Sequence, residues 1–276
     1  MRRFSARLLL LLFLLCSEVG SVANVHRPRV LRSGEDGAAN ALVAALREDF
    51  PVSLRELASA LRGPVKVYVS RRRNMVKGIT AQPFGTLLRF EDVLDILDAA
   101  EEKGRCRHLL CRRFVYPRTS AMNVPSLERG LELLQSSEYI GRKGRLRPTF
   151  RVSWQHLRWG MHYDSHCNTV VQLKGTKTWR FLPPDNTVAK ETLESDRSSP
   201  GYRHGIVDLF EDDDVWAHET AESRAIEFEI HEGDMLLVPR GWDHAVQSRD
   251  NFSASVNWFY ECDTVEEYED KIPDEL

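Results

Sequence analysis

Three residues in the C-terminal half combine side-chain types that bind a redox-active metal. His162 and Asp164 lie two positions apart, and His244 opens a later segment with β-type alternation. On a strand, residues two positions apart project from the same face. Two imidazoles and one carboxylate form the facial triad that holds non-haem Fe(II) and leaves coordination positions open. The sequence therefore predicts a metal site at His162, Asp164 and His244.

A His-x-Asp pair alone is common on protein surfaces, so the surrounding sequence decides its meaning. The motifs in order are His162-Tyr163-Asp164, Asn168, Gln172-Leu173-Lys174-Gly175-Thr176-Lys177, Phe181-Leu182-Pro183-Pro184, Gly233-Asp234, Pro239, Trp242-Asp243-His244 and Val256-Asn257-Trp258-Phe259. Together they span roughly residues 148–260 and resemble the JmjC-type (cupin-like) 2-oxoglutarate oxygenases. The resemblance is greatest to the JmjC protein hydroxylases.

The resemblance implies both cofactors and residue roles. The triad would bind Fe(II) as the catalytic centre, with 2-oxoglutarate as cosubstrate and O2 as oxidant. Lys177 stands where these enzymes place the lysine that pairs with the distal carboxylate of 2-oxoglutarate, and Asn168 and Asn257 match polar positions that line the cosubstrate. A lysine on a buried strand needs an anionic partner, because an unpaired buried ammonium is costly. The alternative for Lys177 is an exposed lysine of a hairpin, a description that fits Lys174 better.

Three positions depart from the family pattern. Trp159 stands where the family often has a threonine that contacts 2-oxoglutarate, and His156 replaces a common glycine. The tyrosine that an upstream strand usually supplies has no clear counterpart, Tyr116 being the one candidate. These departures concern the cosubstrate pocket and leave the metal triad intact.

The activity implied by the resemblance is hydroxylation of a protein or peptide side chain, with release of succinate and CO2. Demethylation would use the same C–H step. Two other hypotheses remain open, namely a non-catalytic JmjC-like binding or scaffold protein and a cupin dioxygenase that acts on a small molecule without 2-oxoglutarate. An intact triad with Lys177 favours the oxygenase, whereas Trp159 and His156 keep the scaffold hypothesis open. In a cupin dioxygenase that works without 2-oxoglutarate, Lys177 would have no cosubstrate carboxylate to pair with.

The elements that must position these residues fall into two parts. Residues 24–147 form a helical or mixed N-terminal part expected to pack on a barrel formed by residues 148–262. Its helical apolar spacing covers 41–61, 90–103 and 127–134, with a β-branched strand at 65–69 and a mobile lead-in at 24–40. The barrel half predicts short strands at 150–155, 170–173, 177–182, 226–230, 235–238, 245–247 and 253–259.

The predicted fold class is mainly β with an N-terminal helical part, an α+β arrangement around a double-stranded β-helix, the jelly-roll or cupin barrel. Residues 185–225 form a polar insertion in this barrel. The chain has 276 residues, 42% of them hydrophobic, with 38 Lys+Arg against 41 Asp+Glu. Because a nucleic-acid binder usually has a basic excess, no nucleic-acid partner is expected. No membrane span is expected either, and a monomer is favoured.

Both ends of the chain resemble targeting signals. Residues 1–23 have a basic start, an apolar run and small residues at Ser21-Val22-Ala23, the pattern of a secretory signal peptide. Residues 263–276 form an acidic tail whose last four residues, Pro273-Asp274-Glu275-Leu276, resemble a KDEL-type retention signal. The predicted location is the lumen of the endoplasmic reticulum, with secretion as the alternative.

An oxidising compartment permits disulfides and N-glycosylation. Cys106, Cys111, Cys167 and Cys262 follow the predicted cleavage point, and Cys106 and Cys111 are the closest pair along the sequence. Four cysteines allow three connectivities, so the pairing remains open. His166 and Cys167 lie beside the predicted site, and they are expected to be ordinary loop residues, with an accessory metal ligand or a redox-sensitive residue as the alternatives. Asn251 begins an Asn-x-Ser sequon.

Overall fold

Alternating apolar residues along the C-terminal segments build two antiparallel sheets that pack against each other. A computed structural model describes residues 27–51, 53–70, 86–95, 114–153, 156–186, 204–205, 207–211, 216, 225–250 and 252–262. The strands are β1 (Arg29–Leu31), β2 (Val65–Ser70), β3 (Thr86–Leu88), β4 (Phe114–Ser120), β5 (Thr149–Ser153), β6 (Arg158–His162), β7 (Cys167–Lys174), β8 (Lys177–Leu182), β9 (Ile226–Ile230), β10 (Met235–Val238), β11 (Asp243–Ser248) and β12 (Ser253–Tyr260).

The larger sheet has eight strands in the order β1-β10-β7-β12-β5-β4-β2-β3, and the smaller has four in the order β6-β11-β8-β9. Strand β10 of the larger sheet is apolar on both faces because both faces are covered. Leu237 of β10 packs into the core beneath the helices, whereas its neighbour Leu236 packs between the sheets against Trp179 and Phe181 of β8. Full burial of one such leucine stabilises the fold by about 1.5–3 kcal/mol. The jelly-roll fold class predicted from the sequence is confirmed.

Helices of the N-terminal part pack on the outer face of the larger sheet. They are α1 (Gly37–Arg47), α2 (Leu54–Ala60) and α3 (Glu128–Ser136), with two 3₁₀ turns at Ala121–Asn123 and Pro125–Leu127. The Asp36 carboxylate accepts two backbone N–H bonds at the start of α1, and the Ser53 hydroxyl accepts one at the start of α2. Pro51 lies between them, so the helical pattern predicted over 41–61 is divided into two helices. A further helical stretch covers 90–95.

The N-terminal part also contributes four strands, of which the sequence predicts only β2. Strands β4, β2 and β3 extend the larger sheet beyond β5, and β1 pairs with β10 at the opposite edge. The expectation of a mobile lead-in over 24–40 is therefore wrong for the described residues of that range. Arg32 and Ser33 both bond to the Asp234 carboxylate and thereby anchor this segment.

Several predictions concern residues outside the described ranges. They are the signal segment 1–23, the helical residues 96–103, Cys106, Cys111, Asn251, most of the insertion 185–225 and the tail 263–276. Within the part of the chain that is described, none of the helices has the length and apolar character needed to cross a membrane.

Candidate metal centre and cosubstrate cavity

The smaller sheet brings the two predicted metal-binding histidines together. His162 is the last residue of β6, and His244 of β11 lies directly opposite it in the antiparallel register. Asp164 lies beyond the end of β6, so the prediction that it shares a strand face with His162 is wrong. Instead, the turn after β6 positions Asp164, whose carbonyl accepts a bond of 3.0 Å from the Gly241 N–H. One ligand atom from each triad residue lies within 4.8 Å of the other two.

Backbone contacts determine which nitrogen each histidine offers to a metal. His162 Nδ1 lies 2.9 Å from the Gly160 carbonyl, and His244 Nδ1 lies 2.9 Å from the Trp242 carbonyl. A carbonyl oxygen only accepts, so each Nδ1 must donate its proton. Each Nε2 therefore keeps its lone pair for a ligand, as in most protein metal sites. Nε2 of His244 lies 3.6 Å from an Asp164 carboxylate oxygen.

Burial keeps both imidazoles neutral, which is the form that binds metals. It lowers the pKa of His162 well below its ordinary value, and the nearby His244 and His204 lower it further. Burial also lowers the pKa of His244, although the Asp164 carboxylate opposes that shift. Both side chains are thus held as neutral ligands at physiological pH.

Lys177 lies in the same cavity, and its amino group is buried. Its side chain is 5% exposed, and Nζ donates a bond of 2.7 Å to the Ser255 hydroxyl, which in turn donates to the Asn257 amide oxygen. Burial, aided by the charge of Arg151, lowers the pKa of Lys177 to about 7. Lys174, in contrast, is partly exposed and pairs with Glu232. No carboxylate among the described residues forms an ion pair with Lys177.

The cavity between the sheets connects this lysine to the triad. Its empty volume is about 450 Å³, open solvent at the mouth included. Lining side chains include His162, His244, Lys177, Arg151, Tyr116, Asn168, Asn257 and Trp179. Four buried polar atoms of this lining have no hydrogen-bond partner, namely Arg151 Nε, Asn168 Oδ1, Asn257 Nδ2 and Trp179 Nε1. Because buried polar groups are normally paired, these atoms leave hydrogen-bonding capacity in the cavity for water or a polar ligand.

Comparison with known proteins assigns the architecture. Residues 27–264 match the cupin-like domain family. The chain belongs to this family. It is 33% identical over 131 residues to the HSPB1-associated protein 1 homolog of Danio rerio, a match covering 47% of this chain and 28% of that protein. It is 27% identical over 110 residues to tRNA wybutosine-synthesizing protein 4 of Gibberella zeae, covering 40% of this chain and 10% of that protein. The chain therefore spans under a third of the length of either relative.

The second cation of this cupin-like cavity, Arg151, escaped the sequence predictions. Its neighbours on β5, Phe150 and Val152, face the core beneath the helices. Alternation therefore directs Arg151 and Ser153 to the opposite face, which lines the cavity. The sequence did contain a signal for this role, namely two polar residues, Arg151 and Ser153, at alternate positions of a predicted barrel strand.

Aromatic residues lie beside the triad at positions where the sequence differs from the family pattern. The Trp159 ring is 4.9 Å from Tyr116 and 6.4 Å from His162 between ring centroids. Tyr116 itself lines the cavity, where the sequence proposed it as a candidate. His156 lies outside the cavity in an exposed turn with a φ of 53°.

Two further residues near the triad make contacts that the sequence did not predict. His204, from the insertion, stacks on His162 with ring centroids 5.2 Å apart, although its side chain is not part of the ligand cluster. Cys167 begins β7 and is bonded to Cys262 across a sequence separation of 95 residues. The expectation that Cys167 is an ordinary loop residue is therefore wrong.

Proposed function

We propose that this cupin-like protein is an Fe(II)- and 2-oxoglutarate-dependent oxygenase that hydroxylates a protein side chain. The observation behind the proposal is a single cavity lined by the two histidines of the His-Asp-His cluster and by a buried lysine that has no acidic partner among the described residues. A metal explains the first feature, and a carboxylate-bearing cosubstrate explains the second.

The triad suits Fe(II) in its donor chemistry. Two neutral imidazoles and one carboxylate are the donor set of non-haem Fe(II) oxygenases. His162 and His244 would bind through Nε2, since backbone carbonyls occupy both Nδ1–H groups. Asp164 would supply the anionic ligand and would lower the net charge of the bound ion.

The far side of the cavity suits the distal carboxylate of 2-oxoglutarate. Lys177 and Arg151 supply two cations there, and a buried carboxylate requires such partners. The unpaired Nδ2 of Asn257 is a donor available to an oxygen of the cosubstrate, whereas the unpaired Oδ1 of Asn168 only accepts and would need a water between it and the cosubstrate. Bound 2-oxoglutarate would in turn stabilise the buried ammonium of Lys177.

When bound, iron, 2-oxoglutarate and O2 supply the oxidation of a C–H bond. One oxygen atom enters that bond to give C–OH, and the other enters succinate as CO2 is lost. The residues of this chain contribute binding and orientation. Phe181 and Trp179 pack against the His244 ring and shield it from water, while the two backbone carbonyls orient the imidazoles.

The decisive experiment measures succinate formed from 2-oxoglutarate by the purified full chain with Fe(II). Lys177→Met should raise the KM for 2-oxoglutarate at least tenfold and retain iron, whereas His162→Ala should lose iron and all turnover. Lys174→Met is the matched control, because that lysine lies outside the cavity, and it should behave as wild type. Iron binding without 2-oxoglutarate binding would overturn the proposal in favour of a different cupin dioxygenase. No iron binding would overturn it in favour of a scaffold.

The protein substrate and the compartment belong to the same proposal. A relative's name, HSPB1-associated protein 1 homolog, describes association with a protein, which supports a polypeptide substrate.

The Cys167–Cys262 bond supports an oxidising compartment, and we propose the endoplasmic reticulum lumen. Co-staining of the tagged full chain with a lumenal marker tests this location, and a cytosolic signal would contradict it.

A further inference from the structure

A row of basic side chains crosses the larger sheet and leads toward the cavity. Lys66 of β2 lies directly opposite Arg118 of β4, and Arg118 lies directly opposite Arg151 of β5. Directly opposite residues of antiparallel strands project from the same face, and adjacent strands are about 4.8 Å apart. On the next strand, Ser255 lies opposite Arg151 and accepts the bond from Lys177. We call Lys66, Arg118 and Arg151 the basic row.

The basic row has no acidic partner among the residues that the structure describes. Other basic side chains do pair, as Arg158 does with Glu211 and Arg180 does with Glu227. Like charges directly opposite each other on neighbouring strands destabilise a sheet. The row therefore weakens the fold as it stands, and an anion lying along it would remove the repulsion.

Two aromatic rings, Tyr68 and Trp159, link the outer half of the basic row to His162 of the triad. Lys66 Nζ is 5.2 Å and the Arg118 guanidinium 5.7 Å from the centre of the Tyr68 ring. That ring contacts Trp159 at 6.2 Å, and Trp159 in turn contacts His162. Arg151 lines the cavity, whereas Lys66 and Arg118 are outside its lining. The two outer cations thus remain for a ligand other than the cosubstrate.

We propose that Lys66 and Arg118 bind an acidic side chain of the polypeptide substrate, close to the residue that reaches the metal. This inference rests on the proposed oxygenase function and names its substrate class. Arginine pairs with a carboxylate through two parallel bonds, and the adjacent lysine adds a second charge. A polyanion such as RNA fits less well, because the outer pair spans about one strand spacing and the chain has a net charge of −3.

The test measures peptide binding without turnover. The full chain, loaded with Mn(II) and 2-oxoglutarate, is titrated with fluorescent 12-residue peptides. The library consists of matched pairs, in which one peptide has Asp or Glu at a given position and its counterpart has Asn or Gln there. The best acidic peptides should bind at least tenfold more tightly than their amide counterparts, and added salt should weaken them. The charge reversal K66E/R118E should abolish this preference. The matched reversal R142E/R147E changes the charge equally at exposed loop positions and should retain it.

Equal binding of acidic and amide peptides would overturn the inference, and so would an acidic preference that survives K66E/R118E. Tighter binding of a single-stranded RNA oligonucleotide, dependent on the same two residues, would also overturn it. An unchanged melting temperature shows that K66E/R118E folds. Succinate formation is measured separately, so failure of the oxygenase function is distinguishable from failure of acidic recognition.

Discussion

Lys177 connects the chemistry of the cavity to pH. Its pKa, ordinarily 10.5, is lowered to about 7 by burial and then by Arg151. A carboxylate binds the ammonium form, which is already present below pH 7 and must be regenerated by proton uptake above it. We expect the affinity for 2-oxoglutarate to be full below pH 7 and to fall about tenfold per pH unit above it. Isothermal titration of the Mn(II)-loaded protein between pH 6 and 9 measures this.

The matched variant is Lys177→Arg, because a guanidinium stays charged over this range. If the variant binds 2-oxoglutarate at all, its affinity should not vary with pH. A wild-type affinity that is constant from pH 6 to 9 would contradict the assignment of Lys177 as the carboxylate partner.

Arg151 has two separable effects on the same carboxylate. Arg151→Gln removes one cationic partner, which should weaken 2-oxoglutarate binding at pH 6.5 by about ten- to a hundredfold, the value of a charged hydrogen bond. The same change removes a charge that lowers the pKa of Lys177, so the pH dependence should begin at a higher pH. Titration at several pH values measures both effects. Arg240→Gln, an equal charge change at an exposed position, should show neither.

At the level of elements, the strands that the sequence predicts are those with regular alternation and turn residues at both ends. β8 has the predicted bounds, Lys177–Leu182, because Gly175 and Pro183 delimit it. β4 escaped prediction because Pro117, which lacks an N–H, lies within it. β1 and β3 have three residues each, and pairing with distant strands creates them.

The candidate site likewise combines residues that local sequence motifs predict with contacts that depend on the whole fold. The local motif of His162 and Asp164, together with the family resemblance that adds His244, selected the three residues that cluster in the structure. The contact between Lys177 and Ser255 joins residues far apart in sequence, and the alignment of the basic row depends on strand register. Register is set by the whole fold, so no local pattern reveals it.

The basic row predicts an unusual stability effect. Lys66→Glu places an acidic side chain opposite Arg118 and converts a repulsive cross-strand pair into an attractive one. The free energy of unfolding should rise by about 0.2–1 kcal/mol, even though acidic peptide binding weakens. Urea denaturation measures the gain, and Lys66→Gln should give a smaller one. A clear loss of stability in Lys66→Glu would mean that the repulsion is absent.

Helix packing against helix depends on one glycine. A Cβ at Gly130 of α3 would lie 2.6 Å from the Leu46 side chain of α1 and 2.7 Å from its Cα. Because the Leu46 backbone cannot withdraw easily, Gly130→Ala should destabilise the protein by about 1–3 kcal/mol. Gly37→Ala is the control, since no atom lies within 4 Å of a Cβ there. Equal stability of the two variants in urea denaturation would contradict this account of the contact.

On the scale of the whole molecule, the Cys167–Cys262 bond links two neighbouring strands that are far apart in the sequence. It joins the start of β7 to Cys262, two residues beyond the end of β12, closing a loop with a sequence separation of 95. Such a crosslink stabilises chiefly by restricting the unfolded chain, and its removal costs about 2–5 kcal/mol.

Cys262→Ala and the double variant Cys167→Ala/Cys262→Ala should therefore lose the same free energy of unfolding, because both remove the same crosslink. The candidate metal ligands are positioned by other contacts, His162 and His244 by the pairing of the smaller sheet and Asp164 by the bond that its carbonyl accepts from the Gly241 N–H. Iron affinity of the folded variants should accordingly stay within about twofold of wild type, a difference of about 0.4 kcal/mol. Urea denaturation and metal titration measure the two quantities separately. A large loss of iron affinity at unchanged stability would show instead that the bond acts on the site.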